Sequence, residues 1–410
     1  MTGTTEVDRK GTRTIAPAVL EPILHRAASL PALREKYRAL AAALAVPALT
    51  DLPPLTKDEL NTALDGILEH ARRQSFGSYV YGSGGTTSAP KLSLIPSDMF
   101  VPDIVRHWRP LAPDDVLVNM NNPGRLWSSH NFFNALADHL GAVTIPLGAV
   151  DHEQLGEWLD FAERVGATAM DGTPTHIAHL LEYCAQTGRQ PPPLGKLLWT
   201  GEPFSARAAD LVARLLPEAG TYGVYGSTET WVIGHNGPAC QRDVFHPLSY
   251  QHVELVDGLV LVTNTHPRCL NPILRYRVGD RGEFVTCSCG QRDALRVLGR
   301  DDPQLKFVSV LVTPGEIAGV ALAEPGVRDV QIALFRYGTP TEQMQVRVLP
   351  DPGAAPADEL RDRVRRRVLS SVYRLGYAVS SAPESFDVQV VEALAVNPRT
   401  YKTPLLVEEA

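Results

Sequence analysis

Positive charge is in short supply in this chain. The 410 residues carry 39 Lys and Arg against 46 Asp and Glu, a formal net charge of −7. A dedicated nucleic-acid binder would show a basic face, so that class is disfavoured and no nucleic-acid partner is expected. The one basic run, Arg363 to Arg367, lies in a helical pattern and reads as a solvated face. Cysteine is scarce too: five in so long a chain make no disulfide framework, so a reducing, cytoplasmic setting is expected. No apolar stretch approaches the ~20 residues that span a bilayer, and no membrane partner is expected. The opening MTGTTEVDRKGTRT has no apolar signal core and reads as a frayed tail.

What is present is globular: 44% hydrophobic and 21% charged residues. The length calls for two or three structural units. Residues 18–75 are rich in Ala, Leu, Glu and Arg and read as helices. Pro53-Pro54 breaks them, and Thr56-Lys57-Asp58-Glu59 restarts one with acidic residues in its first turn. From 79 to 230, short apolar runs (115–120, 142–147, 167–170, 196–199) read as buried strands. They alternate with helical patterns such as His176 to Cys184, which implies an α/β layered sheet. Pieces at 252–256, 259–263 and 282–285 suggest a smaller β unit. Past residue 302 comes a compact tail with strands near 328–336, 343–349 and 386–393 and a helix from Ala357 to about Leu375. That is enough for a separate α/β domain of roughly 100 residues.

The most informative stretch is Tyr81-Gly-Ser-Gly-Gly-Thr-Thr-Ser-Ala-Pro-Lys91. Its glycines let backbone N–H groups approach a ligand. Those groups, with the hydroxyls of Ser83, Thr86, Thr87 and Ser88, suit phosphate oxygens. It is not the G-x-x-x-x-G-K-[ST] phosphate loop. It resembles the signature loop of the adenylate-forming (AMP-binding) superfamily of acyl- and aryl-CoA ligases, peptide adenylation domains and luciferases. Tyr225-Gly-Ser-Thr-Glu229, Tyr276-Arg-Val-Gly-Asp280 and Gly299-Arg-Asp-Asp302 resemble that superfamily's later motifs and follow in its order. Cys-Ser-Cys-Gly ahead of the last motif is similar to the phenylacetate-CoA ligase branch.

The resemblance implies an ATP-dependent acid ligase that forms an acyl-adenylate and releases pyrophosphate. Its large domain would span 1–301 and its small mobile domain 302–410. Ser83, Gly84, Gly85, Thr86, Thr87 and Lys91 would hold the leaving phosphates. Glu229 would bind Mg²⁺, and Asp280 with Arg300 would take the ribose. Gly201, Glu202, Pro203, Tyr225, Gly226, Ser227 and Thr228 would border the nucleotide. Lys402, in Asn397-Pro-Arg-Thr-Tyr-Lys402, would act on the α-phosphate, with Tyr401 standing where the family usually has glycine. Asp302 would be the pivot between half-reactions.

Three further readings remain. Cys240, His246, Cys287 and Cys289 offer three thiolates and one imidazole, the donor set of a closed structural Zn²⁺ site. Trp127-Ser-Ser-His130-Asn131-Phe-Phe falls where the superfamily places its acyl pocket and resembles salicylate- and dihydroxybenzoate-activating enzymes. An amide there could meet an ortho hydroxyl or amine; the other reading is a helix start with Asn131 as cap and the aromatics as core. In Lys306-Phe-Val-Ser309 a serine replaces the glycine expected beside a pantetheine tunnel, so CoA, a carrier-protein thiol and an amine all stay open as acceptors. A homodimer also stays open. The rival function is a zinc-stabilised binding protein that kept the fold without turnover.

Overall fold

The computed structural model describes residues 5–7, 13–83, 91–124, 126–301, 305–308, 310–339, 341–398 and 400–409. The chain forms two compact units, one mainly of residues up to Asp301 and one mainly of residues from Asp302 on.

The first unit opens with the hairpin β1 (Thr5–Val7) and β2 (Arg13–Ile15), then helices α1 (Pro17–Ser29), α2 (Arg34–Ala41), α3 (Lys57–Thr62) and α4 (Leu64–Ala71). Leu20, Ile23, Leu24 and Ala27 recur at helical spacing on α1 and are all buried. Strands β3 (Ser78–Ser83) and β4 (Lys91–Pro96) pair antiparallel, with Ser83 opposite Lys91. Of the glycine-rich stretch, residues 84–90 lie outside the described residues. The short α5 (Val101–Ile104) precedes β5 (Val116–Asn119), α6 (Ser129–Leu140), β6 (Val143–Ile145), α7 (Leu155–Arg164), β7 (Ala169–Gly172), α8 (Pro174–Thr187), β8 (Lys196–Thr200), α9 (Ala206–Leu215) and β9 (Gly220–Ser227). Then come β10 (Trp231–His235), β11 (Val244–Pro247), β12 (Gln251–Val256), β13 (Leu259–Asn264), β14 (Tyr276–Val285) and β15 (Ala294–Arg300).

Among the described residues, β5 to β15 form one sheet in the order β12-β13-β14-β15-β11-β10-β9-β8-β7-β5-β6. The strands from β6 to β9 pair parallel because helices carry the chain back between them. From β9 to β12 the pairs are antiparallel. The strand pieces after residue 250 thus extend the main sheet through β15 against β11. The motif Tyr276 to Asp280 is itself part of β14, earlier than the periodicity indicates.

The second unit contains β16 (Leu305–Phe307), β17 (Val310–Val312), α10 (Pro314–Leu322), β18 (Val327–Phe335), β19 (Gln343–Pro350), α11 (Ala357–Ser371), α12 (Tyr373–Ser381), β20 (Phe386–Val390) and β21 (Leu406–Glu409). The single helix expected after Ala357 is two, because Val372 leaves helical geometry at φ −92°, ψ 79°. The sheet order is β20-β19-β18-β21. Its last strand, β21, runs parallel to β18 at one edge of the sheet. Ile332, Leu334, Val346 and Val348 from the sheet and Leu360, Val364 and Val368 from α11 share one buried core.

Candidate active site

Parallel strands β5, β7, β8 and β9 end on one edge of the sheet, where open α/β sheets bind ligands. Asn119, Asp171, Thr200 and Ser227 stand at or next to those ends. Beyond β8 come Gly201, in the left-handed region at φ +92°, then Glu202 and Pro203. Glu202 Oε1 accepts from Thr175 N at 2.6 Å, so this carboxylate also caps the start of α8.

The turn after β9 carries Thr228 and Glu229. Thr230 N donates to Ser227 Oγ at 3.2 Å, and Trp231 takes up the reversal at φ +65°. A Cβ on Gly226 would lie 2.3 Å from Trp231 O, so this position needs glycine for the turn to close. Glu229 is 4% exposed. Lys57 Nζ lies 3.1 Å from its Oε1, and the Tyr276 phenol also hydrogen-bonds it. Asn271 ties Glu229 to β4: its Nδ2 donates to Glu229 O at 3.1 Å, to Ser93 Oγ at 2.8 Å and to Leu94 O at 3.1 Å.

Strands β14 and β15 bring Asp280 opposite Arg300. Arg300 Nη1 lies 3.3 Å from Asp280 Oδ1, and Tyr225 Oη donates to Asp280 Oδ2 at 2.7 Å. Burial raises the Asp280 carboxyl above its ordinary range, against the pull of Arg300 and Tyr225. Tyr225, Asp280 and Arg300, far apart in sequence, thus form one polar cluster.

The pocket run begins α6. Ser129, His130, Phe132 and Phe133 are buried. Asn131 is not the cap. Its Nδ2 donates to Tyr81 Oη at 3.1 Å, and Tyr81 stacks on Trp231 at 5.9 Å between ring centroids. His130 Nδ1 lies 2.6 Å from Asn121 O, and Trp127 N donates to Gly124 O at 2.9 Å.

Below this turn lies a buried polar network the sequence reading missed. Asn119 Nδ2 donates to His130 O at 2.9 Å and to Asn134 Oδ1 at 2.7 Å. Asn121 Nδ2 donates to Asp171 Oδ1. Asp171 is fully buried, and burial holds its carboxyl well above the ordinary range. Asn121 Oδ1 and Asp171 Oδ2 are buried with no hydrogen-bond partner among the described residues. The available signal was Asn and Asp standing inside otherwise apolar strand runs.

In the second unit, the loop before Lys402 closes on itself: Tyr401 N donates to Asn397 O at 2.7 Å and Asn397 N to Lys402 O at 2.9 Å. Tyr401 has φ +52°, a conformation that favours glycine. Buried Gln331 anchors both sides, donating to Ala395 O and Pro404 O at 2.9 Å each. Gly84, Gly85, Thr86, Thr87, Asp302 and Ser309 lie outside the described residues, and of Ser83, Lys91 and Lys306 only the backbone is described.

Cys240, His246, Cys287 and Cys289 converge on the flank of β11. Their ligand atoms all lie within 4.8 Å of one another. His246 Nε2 is 3.3 Å from Cys240 Sγ and 3.4 Å from Cys289 Sγ. Gly290, at φ +89°, turns the chain so that its N–H meets Cys287 O at 2.8 Å. The Cys240 thiol is pushed up to about 12 by burial, with the neighbouring thiols adding to the shift. Three sulfurs and one imidazole at this spacing fit a tetrahedral metal ion.

The profile of the AMP-binding enzyme family matches residues 36–283, more than half of the chain. The chain belongs to the AMP-binding enzyme family. This AMP-binding enzyme is similar to an indoleacetate–lysine synthetase of Pseudomonas savastanoi, 20% identical over 65% of this chain and 68% of that one. It is 23% identical to a 4-chlorobenzoate–CoA ligase of a Pseudomonas species over 69% of this chain and 58% of the relative. An isonitrile lipopeptide synthase of Streptomyces coeruleorubidus is 37% identical over 56% of this chain, which spans 17% of that longer protein. A 2-hydroxyisobutyryl-CoA ligase shares the fold at TM-score 0.68 and 17% identity, over 96% of this chain and 88% of that one. The protein is an adenylate-forming ligase.

Proposed function

We propose that this enzyme activates a benzoic acid bearing an ortho hydroxyl or amine. The carboxylate oxygen attacks the α-phosphorus of ATP, the bond to the β-phosphate breaks, and pyrophosphate leaves. A thiol of CoA or a carrier protein, or an amine, then attacks the acyl carbon and AMP departs. The observation that carries the aryl reading is Asn131, held by Tyr81 Oη at the start of α6 with the Trp231 ring stacked behind Tyr81. An amide beside aromatic faces suits a flat acid with one polar substituent. Tyr225, Asp280 and Arg300 suit the ribose hydroxyls, and Lys402 the transferring phosphate. Glu229 fits Mg²⁺, which takes oxygen ligands from one or two carboxylates plus substrate phosphates and neutralises phosphate charge. Cys240, His246, Cys287 and Cys289 would hold a structural Zn²⁺; among the described residues no carboxylate belongs to that cluster.

The acceptor stays between thiol and amine. Among the relatives, one is named for joining an acid to lysine and another for joining one to CoA. The decisive experiment is acid-dependent exchange of labelled pyrophosphate into ATP over a panel of aryl and alkyl acids. The expected result is exchange with salicylate or anthranilate above that with benzoate. Exchange only with alkyl acids overturns the aryl reading, and exchange with no acid favours the binding-protein alternative.

A further inference from the structure

Lys57 sits in the first turn of a short helix, a position that by itself says nothing about function. Tertiary structure gives it a partner: its Nζ lies 3.1 Å from Glu229 Oε1, the carboxylate assigned above to Mg²⁺. The Lys57 side chain is 42% exposed and that of Glu229 5%. The pair therefore joins a half-solvated cation to a buried anion.

The segment that delivers Lys57 is fastened at many points. Thr56 caps α3 by accepting from Glu59 N at 3.4 Å, and the Glu59 carboxylate returns to Thr56 N at 2.8 Å. Lys36 Nζ holds Glu59 at 2.7 Å and Pro54 O at 2.6 Å. Leu55 forms a parallel bridge with Tyr276: Leu55 N donates to Arg275 O at 3.2 Å, and Arg277 N to Leu55 O at 2.9 Å. Arg275, at φ +44°, sends Nη1 back to Thr50 O at 3.0 Å and Leu52 O at 2.7 Å. Residues 50–57 are thus clamped on both sides of Tyr276, which opens the motif that ends in Asp280. The clamp registers Lys57 against the nucleotide motifs.

A buried carboxylate needs a counter-charge, and without nucleotide Lys57 supplies it. A divalent cation at Glu229 would displace the ammonium, while the polyphosphate arriving with that cation adds negative charge within reach of the Lys57 stem. We propose that Lys57 is a nucleotide-binding residue that trades Glu229 for the β- or γ-phosphate oxygens of ATP when the magnesium–nucleotide complex enters. This rests on the adenylation reading and adds a cation for the leaving pyrophosphate from outside the recognised motifs.

The test is titration calorimetry of ATP and of AMP, each with saturating Mg²⁺ and no acid, on wild type, Lys57→Met and Lys57→Arg. Thermal unfolding of each variant verifies folding. Lys57→Met is expected to weaken ATP on the order of tenfold, the worth of one charge-assisted hydrogen bond, while AMP affinity stays unchanged. Lys57→Arg should keep most of the ATP affinity. If Lys57→Met lowers the unfolding midpoint but keeps the wild-type ratio of ATP to AMP affinity, Lys57 is only a structural partner of Glu229 and the proposal falls. Wild type that binds ATP no better than AMP also overturns it. Loss of pyrophosphate exchange in a wild type that still binds ATP counts against the adenylation reading instead.

Discussion

Asp171 shows how one side chain can carry a pH signature. Its carboxyl is fully buried, accepts from Asn121 through one oxygen, and meets no donor on the other among the described residues. Burial raises its folded pKa well above the ordinary value, so the folded protein favours the neutral acid. Stability from this group is full below the unfolded value of about 4 and is lost as pH rises from there toward the folded value. Asp171→Asn keeps the shape and stays neutral. The variant should match wild type near pH 4 and become the more stable of the two as pH rises, as read by urea unfolding at a series of pH values. A constant difference across that range would mean Asp171 is ionised in the fold. Lys402 raises a second question at this scale. Lys402→Ala should lower acid-dependent pyrophosphate exchange roughly hundredfold, the usual cost of removing one group that stabilises transition-state charge, while ATP binding persists. An unchanged rate would remove Lys402 from the chemistry.

At the scale of elements, the β9–β10 turn and the metal-type cluster each depend on a local backbone device. Gly226 is required by the approach of Trp231 O, and Gly290 turns the segment between Cys287 and Gln291. The cluster joins the loop before β11 to the turn between β14 and β15, strands that also carry Asp280 and Arg300. Protein purified without chelator should hold one zinc per chain by elemental analysis. Cys287→Ser should weaken zinc by more than the roughly 10–100-fold lost with an outer partner of a ligand. It should lower the unfolding midpoint more than the exchange rate, because a structural metal contributes its binding energy to folding. Protein that holds no zinc and melts unchanged after Cys287→Ser would make these four side chains ordinary thiols and imidazole. The basic run at Arg363 to Arg367 has a plainer outcome. Arg363 and Arg367 pair with Glu324 at 3.1 and 3.2 Å, and the Arg365 guanidinium donates to Phe386 O. These arginines pin α11 within its own unit.

At the scale of the whole molecule, the second unit has a core of its own, with Phe307, Ile317, Ile332, Met344, Val364 and Leu375 all buried. Residues 302–410 expressed alone should therefore unfold cooperatively in denaturant; a featureless, non-cooperative transition would mean this segment needs the rest of the chain. The alternation of strands and helices and the four side chains Cys240, His246, Cys287 and Cys289 that converge in the fold were legible in the sequence. Each is written in residues close together or in an order that chemistry constrains: a cap beside its helix, glycine where backbone must approach, thiols two apart on a turn. Tertiary structure alone decided that Lys57 meets Glu229, that Asn121 meets Asp171, that Tyr81 meets Asn131, and that the strands after residue 250 extend the main sheet. Those pairs are distant in the chain. Their meeting depends on strand order and register, which are set by how apolar faces are buried across the whole unit, and no local pattern encodes that.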